Sequence, residues 1–203
     1  MTGTPFIPEQ ITVHLGTPNS DAENVTVNFP DYIKNVASSE IYPTWPESAI
    51  RANIYAIISF VLNRVYTEWY RVKGYNFDIT NTTQYDQKYI QGREIFENIS
   101  QIVDEIFNSY VVRNGRIEPL FTAFCNGTTV TCDGLSQWGT VGLAEQGLTP
   151  YEILQYYYGD DINIVDNVSV KTNTPSYPGE EMSLGMASND IKTIQVQLNR
   201  ISR

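Results

Sequence analysis

Carboxylates are the residues of this sequence best suited to chemistry, because the other common catalytic groups are scarce. The chain has 203 residues, with one histidine, His14, and two cysteines. A Ser-His-Asp, Cys-His or zinc site would have to use His14, which stands in a strand-like segment where a packed or surface role is the usual one. The sequence contains no phosphate loop, dinucleotide fingerprint or calcium loop.

Glu40 is the carboxylate whose surroundings most favour acid chemistry. It lies in "VASSEIYPTW", among small and aromatic residues and with no adjacent base. Cleavage of a glycosidic bond needs an acid that protonates the leaving oxygen, and a glutamate kept protonated by apolar neighbours can supply that proton. The alternative is a partly exposed glutamate at a helix end, which composition alone favours.

Cys125 and Cys132 stand at the two ends of "CNGTTVTC". The Asn-Gly pair between them is compatible with a β-hairpin that brings the sulfurs together. A local disulfide and two reduced structural thiols therefore both remain open. Two cysteines alone make a weak metal site.

The charge and hydropathy of the chain exclude several classes of partner. The net charge is -10 and the pI is near 4.5, which argues against nucleic acid and against tight binding to an anionic membrane surface. The longest apolar run, "IYAIISFVLNRVY", is broken by Asn63 and Arg64 and is shorter than the roughly 20 residues of a membrane span. With 41% hydrophobic residues, the chain can form the core of one ordinary domain.

The first half of the chain predicts two strands followed by helices. The segments "ITVHL" and "VTVNF" alternate as strands do, and Pro30 opens a short helix over "DYIKNVASS". Thr44 and Glu47 form a T-x-x-E capping box, which predicts the start of a long helix that ends at Gly74. The buried stripe predicted for this helix is Ile50, Ile54, Ile57, Ile58, Val61, Leu62, Val65 and Trp69. A second long helix is predicted with the stripe Ile95, Ile99, Ile102, Val103, Ile106 and Tyr110.

The second half predicts a hairpin, two short helices and a linker. "RNGR" is a hairpin-type turn that leads into the strand "IEPLFTAF", and the helices are "SQWGTVGLAEQ" and "TPYEILQYYY". Thr149 and Glu152 form a capping box for the latter. Residues 166–180 have the composition of a linker, and the amphipathic helix after it presents Ile191, Ile194, Leu198 and Ile201 on one side. Because a single helix cannot bury such a face alone, we expect residues 181–203 to begin a truncated second domain.

Three segments resemble, in order, the motifs of the SpoIID/LytB family, whose members degrade or modify peptidoglycan. They are "YIKNVASSEIYPTWPESAIRANIYAIISF", "DITNTTQYDQKYIQG" and "GLSQWGTVGLAEQGLTPYEILQYYYGDDINI". The resemblance implies an α+β fold, in which a helical part packs on a small mixed or antiparallel sheet beside a substrate cleft. We expect residues 1–165 to form this domain, 166–180 to be a linker, and 181–203 to be the first part of a peptidoglycan-binding domain.

Within that family, "LNRVYTEWYR" and "YYGDDI" are most similar to the spore cortex-lytic enzymes. This resemblance implies that the partner is the glycan strand of cortex peptidoglycan and that the protein acts in the spore cortex or coat region or at the cell wall. It also implies a precursor that a protease activates. A processed precursor would account for the N-terminus "MTGTPFIPEQITVHLG", which lacks the basic head and apolar core of a signal peptide.

The resemblance also implies the site residues and the absence of a metal. Glu40 aligns with the catalytic glutamate of the family. The residues expected to position the glycan are Tyr42, Trp45, Gln87, Tyr89, Ser136, Gln137 and Trp138, with core packing as the alternative for Tyr89 and Trp138. Some members hold zinc through His and Cys, but the corresponding segments here have no His, so we expect no metal and no other cofactor. A disulfide between Cys125 and Cys132 would then stabilise this region in place of the zinc.

The predicted reaction is that of a lytic transglycosylase, which cleaves MurNAc–GlcNAc bonds to an anhydromuramyl product during germination. Glu40 would serve as acid and then as base. A muramidase-type hydrolase is the alternative, and it would need a second carboxylate, for which Asp78, Asp86 and Asp133 are candidates. A wall-binding or stimulating module without activity is the rival from another class.

Overall fold

The computed structural model describes residues 4–173, 183–187, 191–192 and 194–195. The part of the predicted linker after residue 173 lies outside this range. So does most of the predicted second-domain helix, including Leu198 and Ile201.

The described chain combines short strands with longer helices, and the predicted α+β class is confirmed. The strands are β1 (Ile7–Pro8), β2 (Gln10–His14), β3 (Asn24–Asn28), β4 (Ile79–Thr80), β5 (Tyr110–Arg113), β6 (Phe124–Cys125), β7 (Leu135–Ser136), β8 (Ile162–Val165) and β9 (Val170–Lys171). The helices are α1 (Phe29–Glu40), α2 (Glu47–Tyr66), α3 (Glu97–Ile106), α4 (Gln137–Glu145) and α5 (Pro150–Tyr158).

The two predicted N-terminal strands are confirmed as a hairpin that leads into α1. β2 pairs antiparallel with β3, from Gln10 opposite Asn28 to His14 opposite Asn24, and it pairs parallel with β4 on its other edge. His14 is buried, its ring stacks on Phe77 with centroids 4.6 Å apart, and its Nδ1 lies 2.8 Å from Asn24 Oδ1. The lone histidine therefore has a packing role.

α2 is the central element of the fold, and most of its residues are buried. It contacts α1, α3, α4 and α5 as well as β4 and β5. A helix enclosed in this way is apolar around most of its circumference rather than along one stripe. None of the helices in the described part of the chain has the length and apolar character needed to cross a bilayer.

The predicted ends of the long helices are wrong in three respects. Pro46 occupies the N-cap position of α2, and no side chain caps that end, so Thr44 does not form a capping box. α2 ends at Tyr66, and a short 3₁₀ turn at Arg71–Lys73 follows, which leaves Trp69 partly exposed. The predicted stripe of α3 is too long, because Ile95 precedes the helix and is exposed while Tyr110 begins β5.

The predicted turn at "RNGR" forms, with the N–H of Arg116 donating to the carbonyl of Arg113 at 2.9 Å, but it does not join a hairpin, because β5 pairs antiparallel with the distant β8. Of the strand predicted over "IEPLFTAF", only β6 forms, and it pairs parallel with β7. The two short helices α4 and α5 are confirmed, and the capping box of Thr149 and Glu152 is complete. β9, which lies in the predicted linker, pairs parallel with β1.

Two glycines near α4 offer a matched test of this packing. An added Cβ at Gly134 would lie 2.2 Å from the backbone oxygen of Ala123, where the strands β6 and β7 meet, whereas a Cβ at Gly142 would meet nothing within 4 Å. We expect Gly134→Ala to lower the free energy of unfolding by about 1–3 kcal/mol, as overpacking does. Gly142→Ala lies inside a helix and should raise it by up to about 1 kcal/mol. Urea unfolding followed by circular dichroism measures both, and equal stability of the two variants would contradict the close approach at Gly134.

Candidate active site

An open cleft of about 420 Å³ runs along the C-terminal end of α1. Four segments converge on it: the end of α1, the loop after β4, the loop after β6, and the start of α4. The lining residues are Ser39, Glu40, Tyr42, Thr83, Asp86, Lys88, Phe124, Cys125, Asn126, Val130, Gln137 and Trp138. The cleft therefore contains the predicted catalytic glutamate together with three of the seven residues predicted to contact the glycan.

Glu40 is the last residue of α1, and two remote segments donate hydrogen bonds to its carboxyl group. Oε1 accepts from the backbone N–H of Lys88 at 2.9 Å, and Oε2 accepts from Nε2 of Gln137 at 3.3 Å. Ile41 leaves the helix in an extended conformation, so the side chain of Glu40 stands at the helix end and faces the cleft. The two donors fix the orientation of the carboxyl group.

A buried polar chain holds the backbone around Lys88 in place. The hydroxyl of Tyr32 donates to Oε1 of Gln87 at 3.0 Å, and Nε2 of Gln87 donates to the carbonyl of Ile57 in α2 at 3.1 Å. Burial is the main cause that raises the pKa of Tyr32 well above its usual value, and the nearby charges of Asp86 and Glu40 add to it. Tyr32 therefore remains a hydrogen-bond donor throughout the physiological pH range.

Gln87 and Tyr89 do not reach the cleft surface, which corrects the prediction that they contact the glycan. Gln87 is fully buried and Tyr89 nearly so, and the ring of Tyr89 stacks on Tyr32 with centroids 5.6 Å apart. Beyond them, Asn35 of α1 donates to the carbonyl of Ile90 at 2.7 Å and accepts from its N–H at 2.9 Å. These side chains attach the loop after β4 to α1 and α2 on the side away from the cleft.

Gln137 is held from the side of α2 by a second buried chain. Asn53 donates to the hydroxyl of Thr140 at 2.9 Å, and that hydroxyl donates to the carbonyl of Gln137 at 2.6 Å. Ser136 accepts the N–H of Gly139 at 3.0 Å and caps α4, so it is not among the residues that line the cleft. Ser136 is thus the N-cap residue of α4, whereas the sequence predicted that it contacts the glycan.

Three aromatic rings form a cluster at one end of the cleft. Trp45 packs against Trp138 with ring centroids 4.9 Å apart, and Tyr42 lies 5.6 Å from each of them. Trp45 is buried, whereas Tyr42 is 55% exposed and Trp138 is 44% exposed. The cluster therefore offers two ring surfaces on a buried support, an arrangement suited to stacking of an amphipathic ligand.

The carboxylates considered as partners of Glu40 occupy different places. Asp86 lines the cleft, but its Oδ1 accepts from Arg64 at 2.9 Å, and its Oδ2 accepts from the hydroxyl of Tyr70 at 2.6 Å and that of Thr80 at 2.8 Å. Asp78 pairs with Arg71 beside a separate cavity, and Asp133 is exposed outside the cleft lining. Glu40 is thus the carboxylate of the lining that is not paired with a cation.

The loop between the cysteines forms one wall of the cleft. Cys125 and Cys132 are joined by a disulfide with their Cα atoms 6.0 Å apart. Oδ1 of Asn126 accepts the N–H groups of residues 128, 129 and 130, and its carbonyl accepts the N–H of Trp138 at 3.1 Å. The predicted hairpin between the cysteines does not form, since β6 pairs with β7.

Several groups that support the site have no recognisable pattern in the sequence. Lys88 supports Glu40 through its backbone N–H, which every residue except proline has. Asn53 acts on Gln137 only through Thr140. Neither role therefore has a sequence pattern that could be recognised. The Asn-Gly pair at Asn126 indicated a turn, but nothing in the sequence indicated that the carbonyl of Asn126 accepts the N–H of Trp138. Within the described residues, no group of three or more His, Cys, Asp or Glu side chains is arranged to hold a metal ion.

Comparison with known proteins agrees with the resemblance over part of the chain. Residues 20–111 match the model of the family described as SpoIID, Stage II sporulation protein. An uncharacterized protein of Brachyspira hyodysenteriae is 31% identical over 113 residues, which are 54% of this chain and 29% of that protein. The matched segment carries Glu40, Tyr42, Trp45, Gln87 and Tyr89, and the motif that begins at Ser136 lies outside it.

Removal of the disulfide should destabilise the protein without unfolding its core. For the loop closed by Cys125 and Cys132, the chain-entropy relation predicts a loss of about 2–3 kcal/mol in the free energy of unfolding for the double serine variant. Thermal unfolding measured with and without a thiol reductant checks this. The parent should lose stability in reductant and the double variant should not. A parent whose transition does not respond to the reductant would mean that the sulfurs are not bonded in solution.

The substitution Asp86→Asn should act on stability, because it leaves the buried guanidinium of Arg64 without its counter-charge. We expect the free energy of unfolding to fall by about 3–5 kcal/mol. Asp104→Asn is the matched control, because Asp104 pairs with Lys34 on the surface and should change the same quantity by no more than about 1 kcal/mol. Urea unfolding measures both. Equal small losses would mean that Asp86 is not committed to Arg64 and is free for a catalytic role.

Proposed function

We propose that this protein is a peptidoglycan lytic transglycosylase that cleaves the glycan strands of the spore cortex during germination. The observation that carries the proposal is Glu40, which lines the cleft, is held by two donors and forms no ion pair with any of the described residues. The choice of the cortex as substrate rests on the resemblance of the sequence motifs to those of the clostridial spore cortex-lytic enzyme SleC. On the same resemblance, a protease would activate a precursor, and residues 181–203 would begin a peptidoglycan-binding domain.

The proposed reaction needs one carboxyl group, which acts first as an acid and then as a base. Protonated Glu40 gives its proton to the glycosidic oxygen while the bond between that oxygen and C1 of the muramyl residue breaks. The C6 hydroxyl of the same residue forms the new bond to C1, and its proton passes to the carboxylate of Glu40. No water is consumed, the product carries a 1,6-anhydro ring, and Glu40 is restored to its starting state. Because the nucleophile is tethered to the reacting sugar, its orientation is worth on the order of several kcal/mol.

The surroundings of Glu40 suit this cycle. Between the two proton transfers Glu40 is a carboxylate, and the donors from Lys88 and Gln137 stabilise that charge by hydrogen bonds already in position. The exposed faces of Tyr42 and Trp138 would hold sugar rings beside the acid, since carbohydrate rings stack on aromatic surfaces through their C–H faces. Trp45 beneath them supports that surface.

A hydrolase would need a second free carboxylate. Retaining enzymes place it about 5–5.5 Å from the first and inverting enzymes about 6.5–9.5 Å away. Asp86 is the other carboxylate of the lining, and its four accepted hydrogen bonds leave it poorly suited to activate a water or to attack the sugar. The transglycosylase reaction is therefore the one that the described site suits best.

The decisive test is mass spectrometry of the fragments released from purified spore cortex. We expect the parent to release fragments with anhydromuramyl ends and Glu40→Gln to release them at least about a hundredfold more slowly, because it can neither give nor take the proton. Glu145→Gln makes the same charge change on the exposed end of α4 and should keep the parental rate.

Other results would assign the site differently. Reducing muramyl ends from the parent would indicate a hydrolase and would turn attention to Asp86. Binding to cortex without release by either the parent or a chain extended beyond residue 203 would indicate a wall-binding or stimulating module. Cleavage by Glu40→Gln at the parental rate would remove Glu40 from the mechanism.

A further inference from the structure

We propose that the ammonium group of Lys88 forms an anion subsite beside Glu40, through which the cleft prefers glycan strands whose substituents carry carboxylates. The inference deepens the proposed function, on which it rests for the nature of the polymer. It concerns the side chain of Lys88, whereas the support for Glu40 comes from the backbone N–H of the same residue.

The position of Lys88 is fixed by its neighbours. Gln87 and Tyr89 on either side are buried, while Lys88 is exposed and lines the cleft. Its N–H donates to Glu40 at 2.9 Å. The backbone continues to Ile90, which forms two hydrogen bonds with the side chain of Asn35. A lysine on such a segment loses only side-chain freedom when it binds an anion, because the backbone is already ordered.

The charges around the cleft leave Lys88 without an internal partner. Among the described residues that line the cleft it is the only Lys or Arg, and none of their carboxylates, nor any other described one, forms an ion pair with it. The charge of Asp86 is matched by Arg64 at 2.9 Å, so Asp86 does not compete for the ammonium group. The cation is therefore available to a ligand.

Because the protein as a whole is negatively charged, an unpaired cation in the cleft matters for the binding of an anionic ligand. A chain with a net charge of -10 repels an anionic polymer, including one that approaches the cleft. A single ammonium group in the lining offsets that local repulsion and favours ligands whose carboxylates reach it. A neutral polysaccharide of the same backbone gains nothing from Lys88.

The test compares the binding of two matched ligands to proteins that cannot cleave them. The ligands are soluble peptidoglycan strands with free peptide carboxylates and the same strands after those carboxylates have been converted to amides. Both are titrated by calorimetry into Glu40→Gln and into the double variant Glu40→Gln/Lys88→Gln. Glu40→Gln/Lys88→Arg keeps the charge, and Glu40→Gln/Lys171→Gln removes an exposed charge from β9, outside the cleft lining.

We expect Glu40→Gln to bind the free-carboxylate strands about two- to fivefold more tightly than the amidated strands, within the range typical of an exposed ion pair. Lys88→Gln should abolish this ratio, Lys88→Arg should keep it, and Lys171→Gln should leave it unchanged. The ratio should also shrink as the salt concentration rises, because the pair is screened.

Equal affinity of Glu40→Gln for both ligands, or a ratio that survives Lys88→Gln, would overturn the inference and leave the proposed reaction untouched. Failure to bind either ligand would overturn it as well. Cleavage of cortex by the parent, measured separately, decides the proposed function whichever way the binding ratio falls.

Discussion

The carboxyl group of Glu40 depends on donors that lie 48 and 97 residues further along the chain. Neither donor is held by its immediate neighbours alone. The N–H of Lys88 is positioned by Gln87, which bonds to the carbonyl of Ile57, and the amide of Gln137 is positioned through Thr140 and Asn53. Both chains of contacts end on α2, so the geometry at Glu40 is set by how two separate segments attach to one buried helix.

This arrangement explains why a helix as apolar as α2 keeps polar groups in its interior. Ser59 accepts the N–H of Val111 at 2.8 Å, Asn63 donates to the carbonyl of Pro119 at 2.8 Å, and Thr122 donates to the carbonyl of Ala56 at 2.7 Å. Apolar packing alone fixes the distance between elements but only weakly fixes their register, whereas a buried hydrogen bond that is left unmade costs about 1–3 kcal/mol. The polar groups of α2 therefore specify where each loop attaches.

Local patterns predicted the parts of the fold that local interactions determine. The strands β2 and β3, the start of α1 next to Pro30 and the capping box of Thr149 follow from alternation, a fixed φ and a short-range hydrogen bond. The missed strand pairing is non-local, since nothing near "RNGR" reveals that β5 pairs with β8. The missed cap is local: the T-x-x-E pattern at Thr44 did not form a capping box because Pro46 occupies the N-cap position.

The same distinction applies to the site. The motif around Glu40 predicted the acid, and the motif beginning at Ser136 contains Gln137, which bonds to Glu40 in the cleft. These motifs could not distinguish the residues that face the cleft from the residues that hold the walls of the cleft in place. Gln87 and Gln137 look alike in the sequence, and both are buried. Gln87 bonds to Tyr32 and to the carbonyl of Ile57, whereas Gln137 bonds to the carboxyl group of Glu40. The partners that each side chain meets, which depend on the whole fold, decide between these roles.

A residue that is to act as acid and then as base needs neighbours that tolerate both protonation states. The backbone N–H of Lys88 is a donor in either state, and at 2.9 Å it keeps Oε1 as an acceptor throughout. The contact from Gln137 is longer, at 3.3 Å, and comes from a side-chain amide that can adjust when a proton is present. In the proposed cycle the proton would therefore be carried on Oε2, while Oε1 keeps the carboxyl group in place.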